Sequence, residues 1–507
     1  MGDQHMTEKS SDFSDNASAL FDDSLRQKTK KSLGWTVTKA LSDQVFSLVI
    51  FILLARLLTK EEIGIFAMVY VFSEIGRIIA TGGLVQLIAR AKKIDNLQIN
   101  TIFWTNMGIA FAYVALIWIC APLLADLLNQ PGLVWPLQIL SLALPINALG
   151  ASHFALRLRE FGHKTVAMRS ILAGIIGGSA AVVAALSGWG IWSLVLQRCV
   201  AETVSTVLAW ASYRWVPGLK FDWVQAKRNF AFSSNLTIAQ LIFLMLVRIQ
   251  DLLIGASLGA AAVGVYRVAW RSTEMFANAA IQPFSQVGLQ TYSRLQDNPA
   301  AMQKAYKAML GICSALSFPA LVGFGVIAPD LVPLVFGSKW QASGNLAQIF
   351  AFMAIPYTLN FFASPVLSAV GNTHRQRTLA IIQLVSTLVL TLLALPYGLT
   401  AVAIAYVVRS YLTLPLQMHF LKEASRIGAK ASFDAIKAPF FVSTIMGLLL
   451  WTGLQLFSAG QPLSWKGLFI TIAGAALFYT AGLLMISATY RRLVSDFLPL
   501  KELSPHA

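Results

Sequence analysis

Charged side chains inside otherwise apolar stretches are the residues of this chain best placed to do chemistry. Five cations and four acids lie in such stretches: Lys39, Arg77, Arg248, Arg267, Arg271, Asp43, Glu74, Asp251 and Glu274. Further charges in comparable stretches are Arg198, Glu202 and Arg409. A charge at the centre of a lipid bilayer costs roughly 2.5–3.5 kcal/mol on insertion scales. Each side chain therefore needs a partner, a water-filled cavity or a ligand.

The spacing of these charges places several of them on shared helix faces, because residues three or four positions apart are neighbours on a helix. Arg267, Arg271 and Glu274 share one face, and Glu74 shares another with Arg77. Polar stripes of this kind are unstable against lipid. We therefore expect them to line a water-filled cavity.

The chemistry of that cavity has two predicted parts. The predicted substrate-binding cations are Arg77, Arg248, Arg267 and Arg271. The predicted coupling or cavity acids are Asp43, Glu74, Asp251 and Glu274. Arg267 and Arg271 are the best anion clamp, since guanidinium groups match phosphate oxygens and only Glu274 lies on their face. Salt bridges that latch two lobes together are an alternative that the sequence leaves open, as is simple pairing of each acid with a nearby Arg.

Signatures of catalysis and metal binding are missing from the sequence. It contains no P-loop, no HExxH and no GxSxG, and its six histidines are scattered. Cys120, Cys199 and Cys313 lack metal-ligand spacing. We therefore predict a protein that is not an enzyme, with no catalytic residues, metal site or cofactor.

The elements that must position these charges are membrane-spanning helices. The chain has 507 residues, of which 56% are hydrophobic and 12% charged. Blocks of about 20 apolar residues match the hydrocarbon thickness at the helical rise. An all-α membrane protein with about fourteen spans is predicted. The spans are 34–57, 63–89, 101–121, 134–156, 166–187, 190–212, 230–257, 263–292, 306–328, 345–369, 378–396, 400–421, 439–458 and 467–488.

The loops between the spans predict the orientation of the chain. One alternate set of loops carries most of the loop Lys and Arg residues, whereas the other set holds only Lys60, Lys339 and Lys466. The positive-inside rule then places both termini in the cytoplasm. The net charge of +16 is explained by this asymmetry, and a nucleic-acid partner is not expected.

An internal repeat predicts two parallel lobes. IGIFAMVYVFSEI (63–75) aligns with VGVYRVAWRSTEM (263–275), with identical Gly64/Gly264 and Glu74/Glu274. The counterparts of Arg267 and Arg271 are the apolar Ala67 and Val71. Parallel repeats of about six spans, with the site at their interface, are a transporter architecture. The predicted boundaries are a polar tail 1–32, an N-lobe 33–213, a cytoplasmic linker 214–229, a C-lobe 230–422, two added helices in 423–490 and a tail 491–507.

Several segments resemble bacterial polysaccharide exporters. ARLLTKEEIGIFAMVYVF (55–72), FWTNMGIA (103–110), GIWSLVLQ (190–197), SRLQDNPAAMQKAY (293–306) and VFGSKW (335–340) are similar to the polysaccharide transporter family of the multidrug/oligosaccharidyl-lipid/polysaccharide exporter superfamily. The resemblance is greatest to colanic-acid-type flippases and covers roughly 33–490. One departure is Lys60, where the family segment usually has Pro.

The resemblance implies a fold and a substrate. The fold is a two-lobed bundle that alternates between inward-open and outward-open states in the bacterial inner membrane. The substrate is an undecaprenyl-pyrophosphate-linked oligosaccharide, used in exopolysaccharide, O-antigen or capsule synthesis. The resemblance implies further partners, which are the membrane lipid and the proteins that polymerise or assemble the polysaccharide. One rival function is that of an ion-coupled multidrug exporter of the same superfamily. The other is that of a membrane polysaccharide polymerase or ligase, and the short outer loops argue against this second function.

Overall fold

The computed structural model describes residues 44, 46–90, 94–160, 162–457, 463–486 and 490. Lys39, Asp43 and the two predicted tails lie outside the described residues. Within those ranges the regular elements are all helical, with no residue in a strand. This confirms the all-α fold class.

The helices follow one another with short connections. In chain order they are α1 Phe46–Leu57, α2 Lys60–Arg77, α3 Leu84–Arg90, α4 Asn96–Leu127, α5 Val134–Ser141, α6 Ala143–Arg159, α7 His163–Leu186, α8 Ile191–Ser212, α9 Trp223–Leu258, α10 Ala260–Arg294, α11 Pro299–Phe336, α12 Gln341–Ala351, α13 Ala354–Ala369, α14 Thr373–Ala394, α15 Leu399–Ser425, α16 Ala429–Phe457 and α17 Trp465–Ile486. A π-helix, Ile78–Gly82, joins α2 to α3.

The predicted spans all overlap these helices, but the count of fourteen is not confirmed. Among the described residues, eleven helices are long and apolar enough to cross a membrane. A further pair of helices, bent by 60° between Ala351 and Ala354, raises the number of spans to twelve if the pair is counted as one span. The other two predicted spans correspond to α1, whose described part is short, and to α10. The charged and amide side chains of α10 lower its mean hydropathy. They include the predicted site residues Arg267, Arg271 and Glu274. The total of fourteen stays a prediction.

The start of α2 is fixed by a reciprocal pair of hydrogen bonds. The Glu62 amide donates to Thr59 Oγ1 at 3.2 Å, and the Thr59 amide donates to Glu62 Oε2 at 2.8 Å. This is a capping box, which satisfies backbone donors that the first turn of a helix leaves free. The helix therefore begins at Lys60, inside the loop that the sequence predicts between 57 and 63.

The start of α2 crosses the start of α10 in very close contact. A Cβ added to Gly64 would lie 1.8 Å from the Ala260 carbonyl oxygen, and a Cβ added to Gly264 would lie 2.1 Å from that of Lys60. Only glycine permits two backbones to approach so closely. The two glycines that the repeat aligns therefore meet in one mutual contact, which we call the glycine crossing.

The described chain divides into two compact units. The first comprises the chain up to Leu58 with Val69–Asp126 and Pro131–Leu241, and the second comprises Thr59–Met68, Leu127–Gln130 and the chain from Ile242 onward. Both sides of the glycine crossing belong to the second unit. The lobe boundaries drawn from the repeat stay a prediction.

Within the first unit, α8 packs against α7 and α6, and α3 packs against α6. Its buried core includes Phe103, Met107, Leu144 and Ile102. In the second unit, α11 packs against α10, α12 and α16, and α10 also contacts α13. Its larger core is built around Tyr306, Phe318 and Phe362.

Large apolar side chains are also exposed on the outside of the helices. Ile119, Leu123 and Leu127 on α4 are more than two thirds exposed, and Phe469 and Ile470 on α17 are exposed to a similar degree. Exposed side chains of this kind are stable in contact with lipid tails, where the helices satisfy their own backbone hydrogen bonds. The chain is therefore a multi-pass membrane protein.

Candidate functional site

In the first unit the predicted residues Glu74 and Arg77 are joined by a second arginine. The Glu74 side chain is buried, and both of its oxygens accept from Arg77 Nε at 3.2 Å. Arg198 Nη2 on α8 donates to Glu74 Oε1 at 3.3 Å and lies 2.9 Å from Glu202 Oε1. Asn147 Nδ2 completes the chain of contacts by donating to Glu202 Oε2 at 2.8 Å.

Arg77 and Arg198 contact Glu74 and Glu202 in this network, and the positive charge of Arg169 also acts on Glu202. Breaking one member of such a buried network leaves an uncompensated charge. The π-helix begins directly after Arg77, and Thr81 within it donates to the Arg77 carbonyl at 2.8 Å. Single-turn π-helices frequently mark functional sites. The contacts between α2, α6 and α8 show that these residues help to hold helices together, which is the alternative that the sequence left open.

A polar cavity adjoins the network. It has a volume of about 310 Å³, and its lining includes Arg198, Glu202, Ser47, Ser170 and Ser205. The sequence shows Arg198 and Glu202 as charges in a span but gives no reason to choose them over others. Their connection to Glu74 is tertiary, since Arg198 and Glu74 are 124 positions apart.

In the second unit a buried acid lies between two arginines. Asp251 on α9 is fully buried. Its Oδ2 lies 3.7 Å from Arg248 Nη1 and 3.6 Å from Arg267 Nη1. Neither Asp251 oxygen accepts a hydrogen bond from any residue that the structure describes. Charge-assisted hydrogen bonds measure about 2.7–2.9 Å, so both ion pairs are loose.

The acid beside Arg267 comes from another helix. On α10 itself, the sequence offered only Glu274 to neutralise Arg267 and Arg271. In the structure Arg271 Nη1 donates to Glu274 Oε2 at 3.1 Å, whereas Arg267 pairs with Asp251 of α9. The two predicted clamp residues therefore belong to separate ion pairs in this conformation.

Aromatic rings and polar side chains surround the loose pairs of the second unit. The Tyr266 hydroxyl donates to the Gln250 side chain, whose Nε2 donates to Thr391 Oγ1 at 3.1 Å. Tyr266 packs edge-on against Phe350, with ring centroids 5.3 Å apart. Gln250 and Tyr266 each adjoin a predicted site residue in sequence, which is the only signal that marks them.

Arg409 is a further buried cation of the second unit. It is 5% exposed, its guanidinium lies 4.5 Å from the centroid of the Tyr406 ring, and its Nε has no hydrogen-bond partner in the described part of the chain. The Tyr406 ring packs against Trp270 at 5.2 Å. A cation–π contact of this kind is an attractive interaction for a desolvated guanidinium.

The predicted site residues of the second unit include more cations than acids. In that unit three predicted cations face two acids, and Arg409 adds a further positive charge. Of the described residues, no group of three or more His, Cys, Asp and Glu is arranged to hold a metal ion. The excess of cations gives the second unit a capacity for an anion, and the role of Arg77 stays a prediction.

The fold defines the class of the protein. It superimposes on "Lipid II flippase MurJ, inward closed conformation" with a TM-score of 0.73 at 13% identity, covering 91% of this chain and all of that chain. It superimposes on an inward-facing multidrug resistance MATE transporter of the MOP superfamily with a TM-score of 0.60 at 15% identity, covering 78% and 95%. The helical fold of this chain is therefore shared with these two solved structures.

The sequence defines the family. Residues 53–345 match the model of the polysaccharide biosynthesis protein family, and the chain belongs to that family. It is 25% identical to the lipopolysaccharide biosynthesis protein WzxC of Escherichia coli K12, over 66% of this chain and 68% of that protein. It is 22% identical to the teichuronic acid biosynthesis protein TuaB of Bacillus subtilis 168, over 95% and 100%. The resemblance drawn from the sequence is confirmed.

Proposed function

We propose that this protein moves an undecaprenyl-pyrophosphate-linked oligosaccharide across the bacterial inner membrane by alternating access. The observation that carries the proposal is the excess of partly buried arginine over acid in the second unit, inside helices of a polysaccharide biosynthesis family member. A pyrophosphate is the charged part of such a substrate. The protein is a transporter and not an enzyme, because the work is done by binding and conformational change.

The arginines of the second unit hold the pyrophosphate in this mechanism. Arg248 and Arg267 exchange the Asp251 carboxylate for phosphate oxygens, and Arg271 exchanges Glu274. The 3.6 and 3.7 Å ion pairs are longer than good charge-assisted bonds, so replacing them with bidentate contacts to phosphate is favourable. Arg77 lies in the ion-pair network of the first unit and acts there as part of a latch.

The displaced acids couple transport to an ion. A carboxylate that loses its arginine in a low-dielectric site is stabilised by taking up a proton or a cation. Asp251 and Glu274 then gain that ion when the substrate binds and release it when the arginines return. Glu74 and Asp43 are the corresponding acids of the first half of the chain. Both termini face the cytoplasm, and a polymerase and assembly proteins receive the exported unit outside.

Glycan export tests this function directly. A strain that lacks the gene should accumulate the lipid-linked unit inside and recover export with the wild-type gene. Arg267→Gln combined with Arg271→Gln should abolish recovery at equal membrane levels, whereas Lys466→Gln, at a predicted outer loop, should not. Recovery of normal export by the double variant would overturn the clamp. Drug efflux without glycan export would instead assign the rival function of a multidrug exporter.

A further inference from the structure

The segment between α8 and α9 is bound firmly to α4, although the sequence suggests a linker at 214–229. Gly218 is held at both of its backbone groups: its amide donates to Asn100 Oδ1 at 3.0 Å, and its carbonyl accepts from Trp104 Nε1 at 2.9 Å. Asp222 adds a third contact through its amide, which donates to Thr101 Oγ1 at 3.2 Å. Polar side chains on an otherwise apolar helix thus fix the course of the linker.

The same linker turns into α9 at a well-formed cap. Asp222 Oδ1 accepts from the amides of Val224 at 2.8 Å and Gln225 at 3.2 Å. Aspartate is a favoured N-cap because its oxygen satisfies amides that the first turn leaves free. The first two turns of α9 therefore have a fixed position beside α4.

A large apolar groove lies between α4 and these first turns of α9. Its volume is about 910 Å³, and its lining is Trp104, Thr105, Gly108, Ile109, Phe221, Trp223, Val224, Ala226, Lys227, Arg228, Phe230 and Ala231. A Cβ built on Gly108 meets nothing within 4 Å. Trp223 is 79% exposed. The groove is thus open, built on rigid helices and bordered by aromatic rings.

Two cations lie at this groove without acidic partners. Lys227 and Arg228 are exposed, and neither forms an ion pair with any residue that the structure describes. The positive-inside pattern puts this end of α9 at the cytoplasmic face, whose leaflet carries anionic lipids and attracts basic residues. Tryptophan at a groove mouth is also typical of the membrane–water interface.

We propose that this groove binds an anionic phospholipid of the cytoplasmic leaflet. Its acyl chain fills the apolar space over Gly108, and its phosphate pairs with Lys227 and Arg228. The apolar lining excludes a free phosphate or nucleotide as the main occupant, and the unpaired cations favour an anionic headgroup over a zwitterionic one. The site is separate from the buried arginines of the second unit, and its test does not depend on glycan export.

Lipid retention on the purified protein tests the proposal. Phosphatidylglycerol and phosphatidylcholine are added in turn, and bound molecules are counted by native mass spectrometry. The wild type should prefer phosphatidylglycerol. Lys227→Gln with Arg228→Gln should weaken that preference by roughly 30-fold, since each cation near an anionic surface contributes about fivefold. Unchanged preference in the double variant would overturn the site.

A groove-filling variant separates the apolar part of the site from the charges. Gly108→Leu should lower the retention of both lipids, because the new side chain extends from a Cβ that meets nothing within 4 Å into the groove. Gly474→Leu on α17 is the matched control, since a Cβ there also meets nothing within 4 Å, and it should retain both lipids. Equal lipid retention in the two variants would contradict the proposal. Displacement of phosphatidylglycerol by a tenfold lower concentration of undecaprenyl phosphate would also contradict it, because the groove would then prefer a polyprenyl lipid to a phospholipid.

Discussion

Arg198 is the residue on which the contacts of the first unit converge, because it pairs with Glu74 at 3.3 Å and Glu202 at 2.9 Å. Arg198→Gln should destabilise the protein by about 3 kcal/mol, since Glu202 loses its ion pair and the buried Glu74 loses one of its two arginines. Thermal unfolding in detergent measures the loss. Arg157→Gln is the control, because its 3.4 Å pair with Glu160 is largely exposed and such pairs contribute about 1 kcal/mol or less. Equal losses in the two variants would show that the network adds nothing.

Asp251 allows the anion site to be tested without transport. Asp251→Asn leaves Arg248 and Arg267 facing each other without the carboxylate that lies between them. Inorganic pyrophosphate should then raise the unfolding temperature of the variant more than that of the wild type, because a ligand of the native state stabilises it by mass action. Equal shifts in both proteins would argue against pyrophosphate binding at these arginines. The neutral sugar maltose, which lacks phosphate, is the ligand control.

Sequence spacing predicted part of the candidate site. Glu74 with Arg77, and Arg271 with Glu274, pair as neighbours three positions apart on one helix. The pairing of Arg267 with Asp251 joins two helices, and hydropathy and spacing contain no information on which faces meet. For the same reason the contact between Arg198 and Glu74 could not be predicted from the sequence.

At the scale of the helices, the glycine crossing is a strong constraint on α2 and α10. Gly64→Ala should cost roughly 1–3 kcal/mol, the usual range for overpacking, because its Cβ would meet backbone that cannot rotate away. The unfolding temperature of the purified variant measures this. Gly453→Ala on α16 is the control, since a Cβ there meets nothing within 4 Å. A helical Gly→Ala change without a clash is expected to be neutral or stabilising by about 1 kcal/mol. A neutral Gly64→Ala would mean that the crossing opens readily.

The positions of the helices were largely predictable, and their irregularities were not. Apolar blocks long enough to span a bilayer coincide with helices throughout the described residues. The 60° bend between Ala351 and Ala354 and the π-helix at Ile78–Gly82 break helices inside continuous apolar runs. Hydropathy averages over such positions, so only the backbone reveals them.

For the whole molecule, the orientation in the membrane is a direct prediction. Reporter fusions after Lys164 and Arg377 should be active in the cytoplasm, whereas fusions near Lys60 and Lys339 should be active outside, because positive loops are retained on the inner side. Paired phosphatase and fluorescent-protein reporters distinguish the two compartments. The reversed result at any one of the four positions would refute the span order.

The internal repeat could not predict how the chain divides into two compact units. Thr59–Met68 and Leu127–Gln130 group with the chain from Ile242 onward, although the alignment treats the two halves as continuous. Side-chain contacts such as Asn129 Nδ2 donating to the Ala256 carbonyl at 3.3 Å hold these short segments there. Contacts between residues so distant in sequence leave no periodic signal.

The glycine crossing also has an evolutionary consequence. The contact is mutual. Ala260, four residues before Gly264, touches Gly64, and Lys60, four residues before Gly64, touches Gly264. Identical subunits make reciprocal contacts of this kind across the two-fold axis of a homodimer. A half-length ancestor with this segment would have assembled from two identical chains, so a charge gained by one copy was gained by both. In one continuous chain that restriction is absent. Arg267 and Arg271 now stand opposite Ala67 and Val71 in the repeat, a difference that identical subunits cannot encode.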